Sequence, residues 1–283
     1  MKKLYCLLTI AMTTVLFILN VTASNFVKDG LVSYWSFDKQ HVRNNKVKDI
    51  WGENHGETGG NPKIISGHIE EAFQFDGTDD YVNLTNLGDF GSQLGSSTFE
   101  AWIIVDQKND PMTLFRIQDT CMRWGFTINN VMKGTNDQLQ HTIAHKLGNL
   151  CHGYSMGLKP AKFSDGKWHH FVNTIDIVVG DAPAKEKKLQ ARFYKDGELF
   201  NSIALPLRQP ATFVPFMKPF YLGSEGKHGN QTRFFKGAID EVRIYNRTLT
   251  EAEVIQNFES RIGYSVEPLK KLPIIWATLK SKL

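Results

Sequence analysis

Short runs of β-branched and aromatic residues, separated by turn residues, follow one another through almost the whole chain. From Leu31 onward, hardly any stretch keeps the 3.6-residue period of an amphipathic helix. We predict strands at 31–37, 71–76, 80–84, 97–105, 112–118, 122–128, 166–177, 189–195, 198–204, 219–224 and 234–245. So many short strands need two packed sheets to bury their apolar sides. The chain is therefore predicted to be all-β, a two-sheet antiparallel β-sandwich.

The predicted strand 97–105 is largely apolar on both of its faces. One face carries Phe99, Ala101, Ile103 and Val105, and the other carries Glu100, Trp102 and Ile104. A strand of this kind is expected in the middle of a sheet that is covered on each side. The run 167–176 also alternates, but its register alone does not tell which of its faces belongs to the core.

Two local signals define a turn and a helix. Asp196-Gly197 lies between two β-rich runs and predicts a tight β-hairpin, because both positions of that turn favour a positive φ. Thr250 and Glu253 form a capping box that predicts a helix start. Val254 and the apolar residues that follow it give this helix one buried face. We expect a single short C-terminal helix that acts as a lid on the sandwich.

The first 23 residues have the features of an export signal. Lys2 and Lys3 precede an apolar run from Leu4 to Leu19, and Val21-Thr22-Ala23 provides small residues for cleavage. The alternative is a retained membrane anchor, but the run is shorter than the roughly 20 residues that span a bilayer. We expect residues 1–23 to be removed and the protein to be secreted or held at the cell surface. No later stretch is a transmembrane candidate.

Composition argues against nucleic acid as a partner. The formal net charge is +4, and it falls to +2 when the two signal lysines are subtracted. No basic stripe interleaved with aromatic residues is present, so a nucleic-acid-binding surface is not expected.

Two cysteines remain once the signal, which contains Cys6, is removed. An even pair in an oxidising compartment is best interpreted as a disulfide, which would join Cys121 to Cys151 and restrict the unfolded chain. Two free buried thiols are the alternative.

Six sequence strings occur in an order that is similar to one known family. They are Gly30–Asp38, Ala72–Val82, Phe99–Trp102, Lys167–His170, Tyr194–Gly197 and Phe235–Arg247. Together they resemble the laminin-G-like jelly-roll domains of the concanavalin-A-like lectin and glucanase superfamily, over about residues 30–262. The resemblance implies a jelly-roll domain at 24–264 that serves as a non-enzymatic binding or adhesion module for carbohydrate or an extracellular protein. A structural surface or assembly domain is the alternative.

The resemblance also implies a structural calcium ion where the first and last strands meet. It maps this role onto Asp38 and Asp240, with Asn54 and the carbonyl groups of the 52–56 loop completing an oxygen shell. The alternative is that both aspartates are ordinary turn carboxylates that accept hydrogen bonds from backbone amides.

A glycan hydrolase is the least favoured function. Retaining glycosidases need two carboxyl groups ~5–5.5 Å apart, for which a strand of this fold would show Glu-x-Asp-x-Glu. The sequence has no such run. Asp240 and Glu241 are neighbours, which on a regular strand point to opposite faces, and Glu100 and Asp176 stand alone in their strands. A catalytic pair of carboxylates contributed by separate strands is the alternative.

The histidines suggest packing more than chemistry. His141, His145, Cys151 and His152 match no established zinc spacing, and Thr142-Ile143 favours a strand that would place His141 and His145 on one face. No serine or cysteine in a nucleophile setting accompanies His169 and His170, so cross-strand packing is the better interpretation.

The last segment, 265–283, is predicted to be a basic amphipathic tail. After Pro273, the residues Ile275, Trp276 and Leu279 would form one apolar stripe, followed by Lys280 and Lys282. We expect an attachment or sorting tail that is separable from the sandwich, and the alternative is a flexible end without a role.

Overall fold

The structure is a computed structural model that describes residues 25–84, 96–106, 110–118, 123–129, 138–147, 150–179, 187–206, 211–212, 220–227 and 230–260. The predicted signal 1–23, Cys121 and the tail 265–283 lie outside these residues. Within the described ranges, no helix combines the length and the apolar character needed to cross a membrane.

The first sheet contains eight of the strands that the structure describes. They are β1 (Leu31–Trp35), β5 (Lys63–Ser66), β6 (Glu71–Asp76), β8 (Ser97–Val105), β13 (His169–Val179), β14 (Lys187–Lys195), β15 (Glu198–Pro206) and β20 (Lys236–Tyr245). Their order is β15-β14-β13-β8-β20-β6-β5, and β1 also pairs with β20. The first and last strands of the domain are therefore neighbours, as the resemblance implied.

The second sheet contains ten of the described strands. They are β2 (Val42–Arg43), β3 (Lys46–Val47), β4 (Gly56–Gly59), β7 (Tyr81–Leu84), β9 (Met112–Gln118), β10 (Arg123–Asn129), β11 (Gln138–Leu147), β12 (Leu150–Gly157), β16 (Ala211–Thr212) and β17 (Phe220–Leu222). Their order is β12-β11-β10-β9-β17-β7-β4-β3-β2, and β16 pairs with β11. A separate hairpin is formed by β18 (Glu225–Lys227) and β19 (Asn230–Thr232). All pairings in both sheets are antiparallel, which confirms the predicted β-sandwich.

The core lies between the two sheets and is rich in phenylalanine. Phe99 of β8 stacks on Phe115 of β9 with ring centroids 4.0 Å apart. Phe126 of β10 contacts Phe171 of β13 at 4.4 Å. All four rings are fully buried, and a buried side chain of this size contributes about 1.5–3 kcal/mol to folding. The core side of 97–105 is thus the face of Phe99, and the core side of 169–179 is the face of Phe171.

The other face of the first sheet is covered by the N-terminal segment 25–30 and by helix α1 (Glu251–Glu259). Phe26 and Val254 contribute to the apolar cluster beneath this cover. The side chain of Asn257 joins the layers, since it accepts from the Val27 amide at 2.7 Å and donates to Glu100 at 2.8 Å. The predicted capping box of Thr250 and Glu253 is present. The helix is therefore the expected lid.

Several strands were not predicted because polar residues interrupt the alternation of apolar and polar positions. The strands 71–76, 97–105 and 112–118 have the predicted limits, whereas 56–59, 63–66 and 150–157 were not predicted. For 138–147, only the preference of Thr142-Ile143 for a strand indicated this element. In the run 138–147, Leu139, Ile143 and Leu147 share one face with His141 and His145, so two histidines interrupt its apolar alternation. Such strands form because their neighbours supply ladder partners, which is a tertiary effect.

Candidate functional site

The outward face of the second sheet carries a row of mostly polar residues that crosses eight strands. The inward face of the same strands supplies Val82, Leu84, Phe115 and Leu222 to the core. Cross-strand pairing aligns the outward row in the order Lys46, Glu57, Asn83, Tyr221, Arg116, Gly125, Thr142 and Ser155. The ends of the row, at Lys46, Glu57 and Ser155, are exposed, whereas its middle, at Tyr221, Arg116 and Gly125, is buried.

Arg116 lies at the middle of this row and is almost fully buried, with 4% of its surface exposed. Its Nη2 atom lies 3.5 Å from Oε1 of Glu225. Oε2 of Glu225 in turn accepts from Nη1 of Arg233 at 3.1 Å. Two guanidinium groups therefore share one carboxylate above the sheet.

Gly125 leaves the space in which the Arg116 side chain lies. A Cβ atom at this position of β10 would approach Cδ of Arg116 to 2.6 Å and the carbonyl oxygen of Phe115 to 2.8 Å. Only a residue without a side chain lets the arginine pass along the sheet surface here. The absence of a side chain at Gly125 thus makes room for the Arg116 side chain, and Glu225 contacts its guanidinium group.

Two tyrosines border Arg116 on the outward face. The rings of Tyr81 and Tyr221 meet edge to face with centroids 6.1 Å apart, and Tyr81 is half-buried against Gly59. Gln231 lies next to the Tyr221 ring, because both side chains pack against Gly226. A Cβ atom at Gly226 would touch the Gln231 amide and would lie 2.7 Å from the Tyr221 ring. Ring faces, an amide and charged groups are the side chains that protein sites use for polar ring-shaped ligands.

We call the set Tyr81, Arg116, Tyr221, Glu225, Gln231 and Arg233 the Arg116 site. Sequence reasoning did not identify it. The available signal was an arginine in the strand 112–118, between Phe115 and Ile117, which are apolar. Its partners lie on strands distant in the chain, and their convergence depends on the pairing register.

The predicted metal ligands Asp38 and Asp240 are brought together by the turn 67–71. Oδ2 of Asp240 accepts from the amides of His68 at 2.8 Å and Ile69 at 3.1 Å, and Oδ1 of Asp38 accepts from the amide of Glu71 at 3.1 Å. Burial and the negative charges of Glu241 and Asp38 raise the pKa of Asp240 well above its usual range. Both carboxylates thus accept hydrogen bonds from backbone amides, as in the alternative to a calcium site.

Asn54, the third predicted ligand, belongs to a different turn. Its carbonyl oxygen accepts from Nε1 of Trp35 at 2.9 Å, and its side-chain amide donates to Ser33 at 2.6 Å. Its backbone amide is one of four that donate to Asp49, together with those of Tyr34, Trp51 and Gly52. Asp49, which sequence reasoning did not single out, organises this turn through its carboxylate.

A β-bulge corrects the expected directions of Asp240 and Glu241. The pairing of β20 with β8 shifts between Asp240 and Arg243, and Glu241 has φ +53°. Asp240 lies opposite Trp102, and Glu241 accepts from the Tyr34 hydroxyl. Because the bulge inserts one residue, both carboxylates lie on the covered outward side rather than on opposite faces.

The same bulge brings Glu241 and Glu100 to one arginine. Arg243 donates to Glu100 at 3.0 Å and also to Glu241, and all three side chains are no more than 1% exposed. Burial disfavours charge on Glu100, but His170 and Arg243 outweigh it and lower the pKa of Glu100 to about 2. Burial raises the pKa of Glu241 to about 7 despite Arg243 and Tyr34. This carboxylate pair, from separate strands, is sealed beneath the lid.

The histidines have separate structural positions. His141 of β11 points into the core and contacts the ring of Phe193 at 4.9 Å. His169 is held between Asp196 at 2.7 Å and Asp165 at 2.8 Å, while His170 is buried beside Trp102. His141 and His170 are thus packed among aromatic side chains, whereas His169 is held by two carboxylates rather than by packing alone. The side chains of His145, Cys151 and His152 lie outside the described residues.

One cluster of acidic residues was not predicted. Asp76, Asp79 and Asp80 have carboxylate oxygens within 4.8 Å of one another. Asp76 accepts from the amide of Thr78 at 2.7 Å, and Asp80 accepts from the amides of Asn61 at 2.7 Å and Asp76 at 2.9 Å. These bonds explain the cluster as a tight turn between β6 and β7.

Known proteins share the architecture. No curated protein shows significant sequence similarity to the chain, but residues 76–255 match a laminin-G family described as concanavalin A-like lectin/glucanases. Domain 4 of an extracellular arabinanase from Geobacillus stearothermophilus, in complex with arabinotriose, has a TM-score of 0.53 at 20% identity, over 80% of this chain and 97% of that domain.

Two toxin domains are also similar in structure. The binding domain of Paraclostridial Mosquitocidal Protein 1 has a TM-score of 0.58 at 16% identity, over 81% of this chain and 52% of that one. The binding domain of Botulinum Neurotoxin DC, in complex with SialylT, has a TM-score of 0.59 at 15% identity, over 84% and 53%. The chain thus spans about half the length of these toxin domains, and at such identities the likeness concerns the fold. The match over 76–255, more than half of the chain, shows that the protein belongs to the concanavalin A-like lectin/glucanase superfamily.

Proposed function

We propose that the protein is a carbohydrate-binding module that works outside the cell and binds its ligand at the Arg116 site. The observation that carries this proposal is the alignment of Tyr221 and Arg116 on adjacent strands, with Tyr81, Glu225 and Gln231 around them. The half-buried ring of Tyr81 can stack on the apolar face of a sugar ring, and the polar groups can bond the sugar hydroxyls. Tyr221 is 9% exposed and supports Tyr81 through their edge-to-face contact. A similarly folded arabinanase domain was solved with a bound oligosaccharide, which supports this choice.

A glycan array followed by calorimetry with the best ligand tests the proposal. Tyr81→Ala should weaken binding about tenfold or more, since it removes a stacking surface, whereas Tyr81→Phe should keep most of the affinity. Ile255→Ser is a matched surface control, because Ile255 lies on α1, which covers the opposite sheet, and is 44% exposed. The proposal is wrong if no glycan binds, or if Tyr81→Ala and Ile255→Ser bind equally well.

We also infer that the module does not hydrolyse its ligand. Glu100 and Glu241, a carboxylate pair from separate strands, are tied to Arg243 and closed to solvent. At the Arg116 site, both carboxylate oxygens of Glu225 are engaged, Oε1 by Arg116 and Oε2 by Arg233. Incubation with the glycan that binds should release no reducing ends, and turnover that disappears in Glu225→Gln would refute the inference.

Calcium remains our proposal for Asp38 and Asp240. The two carboxylates would supply oxygen ligands at the junction of the first and last strands, and the ion would neutralise their repulsion. Calcium at a hundredfold excess over its Kd should add about 2.7 kcal/mol to the stability. Melting curves in calcium and in chelator should differ for the natural protein and coincide for Asp240→Asn. Coincident curves for the natural protein would refute the proposal.

Export is likewise proposed from residues 1–23. Expression of the full chain in a bacterial host with a secretion system should give a processed protein. Its first residue should be Ser24, which N-terminal sequencing would establish. A product that retains Met1 and stays with the membrane would support the anchor instead.

A further inference from the structure

We propose that the Arg116 site selects acidic saccharides, namely sugars that carry a carboxylate, over their neutral counterparts. This inference rests on the proposed function and adds the chemical class of the ligand. It follows from the charges at the site, from the burial of Arg116 and from the way in which the backbone fixes Arg233.

Within the six described residues of the Arg116 site, two guanidinium groups share the one carboxylate of Glu225. The charged side chains of this set therefore sum to one positive charge. Arg233 offers five N–H donors in a planar fork, and its Nη1 atom reaches Glu225. Its side chain is 46% exposed, so the rest of the fork is accessible to a ligand carboxylate, which matches its geometry.

The charge of Arg116 acts in a poorly solvated environment. Its side chain is 5% exposed, and charges that are shielded from water interact more strongly than charges in bulk solvent. His141 shows this effect on the other side of the sheet, since burial and the positive charge of Arg116 lower its pKa to about 3. The same positive charge would attract a ligand carboxylate above the sheet.

Arg233 is held by an unusual backbone conformation. Its φ is +52°, a region that residues other than glycine rarely adopt. Its carbonyl oxygen accepts from the amide of Thr113 in β9 at 2.8 Å, which anchors it beside the strand of Arg116. Strained residues that are retained in this way concentrate at binding sites, because their orientation matters more than the local energy.

Paired probes test the inference by isothermal titration calorimetry on the purified protein. The probes are tetragalacturonic acid and its fully methyl-esterified form, which differ in charge while sharing the same sugar rings. We expect the acid to bind about tenfold more tightly than the ester, the factor that corresponds to one charge-assisted hydrogen bond. Added salt should reduce this ratio.

A pair of arginine variants assigns the preference to the site. Arg233→Met should bring the acid-to-ester affinity ratio close to one. Arg192→Met, on the first sheet, is the matched control and should retain the ratio. Melting curves of both variants verify that the fold is intact, as expected for partly exposed side chains.

The outcomes separate this inference from the proposed function. If acid and ester bind equally well, or if Arg233→Met keeps the preference, the acidic selectivity is wrong while a glycan-binding module stands. If neither probe binds and the glycan array is also silent, both the proposed function and the inference are overturned. An array that shows binding to neutral glycans alone overturns the inference only.

Discussion

Replacing His141 by leucine should make the protein less sensitive to acid. His141 is fully buried in the core, and neither of its ring nitrogens has a hydrogen-bond partner among the described residues. Burial, assisted by the positive charge of Arg116, lowers its pKa from 6.5 to about 3. The imidazole is therefore neutral in the folded protein at pH 5, while it is protonated in the unfolded chain.

The sign of the effect follows from this difference. Because the unfolded state binds the proton more readily, the contribution of His141 to the free energy of unfolding is fully present above pH 6.5 and is lost as the pH drops toward 3. Between pH 7 and pH 5, this one group should remove about 2 kcal/mol, which follows from a shift worth about 1.4 kcal/mol per pH unit. For a domain of this size, that loss corresponds to roughly 4–8 °C in melting temperature.

Denaturant titrations at pH 7 and pH 5 measure this directly. The natural protein should lose about 2 kcal/mol more between the two pH values than His141→Leu does. At pH 7 the variant should be as stable as the natural protein or slightly more stable, since leucine leaves no buried polar atom without a partner. All other titrating groups are common to both proteins and cancel in the comparison. Equal losses in the two proteins would refute the reasoning.

Four further outcomes are expected. The first concerns His169, whose pKa is raised by Asp196 and Asp165 although burial opposes it. Its contribution to the free energy of unfolding should be fully present below pH 6.5 and should be lost as the pH rises through the higher pKa of the folded state. Denaturant titrations at pH 6 and pH 8 should therefore show a smaller loss of stability in His169→Gln than in the natural protein. Arg243→Met should cost about 3–5 kcal/mol in urea unfolding, because it leaves buried carboxylates without their cation; a loss below about 1 kcal/mol would contradict this. Thr250→Ala should cost about 1 kcal/mol by removing the helix cap, whereas Thr250→Ser should not. Thiol titration of the denatured, unreduced protein should detect no thiol from Cys121 or Cys151, and two reactive thiols would exclude the disulfide.

Local sequence determined those parts of the fold that depend on neighbouring residues. The capping box at Thr250 predicts the start of α1 because the atoms that form it lie within one turn. The Asp196-Gly197 hairpin is present, with positive φ at both residues, for the same reason. Strands such as 97–105 were predicted because their apolar alternation is complete. The resemblance then supplied the jelly-roll arrangement that these elements adopt.

Only the tertiary structure decided which side chains meet. The bulge at Glu241 places this side chain on the same face as Asp240, whereas simple alternation predicts opposite faces. The residue pattern of β20 does not predict the bulge. Arg116 meets Tyr221 and Glu225 only because β9 and β17 pair in one register. Registers are set by contacts between segments far apart in the chain, and a shift by one residue would turn Arg116 toward the core. The sequence therefore determined many of the strands and, through the resemblance, the fold family, while long-range pairing decided the remaining strands and the composition of the candidate site.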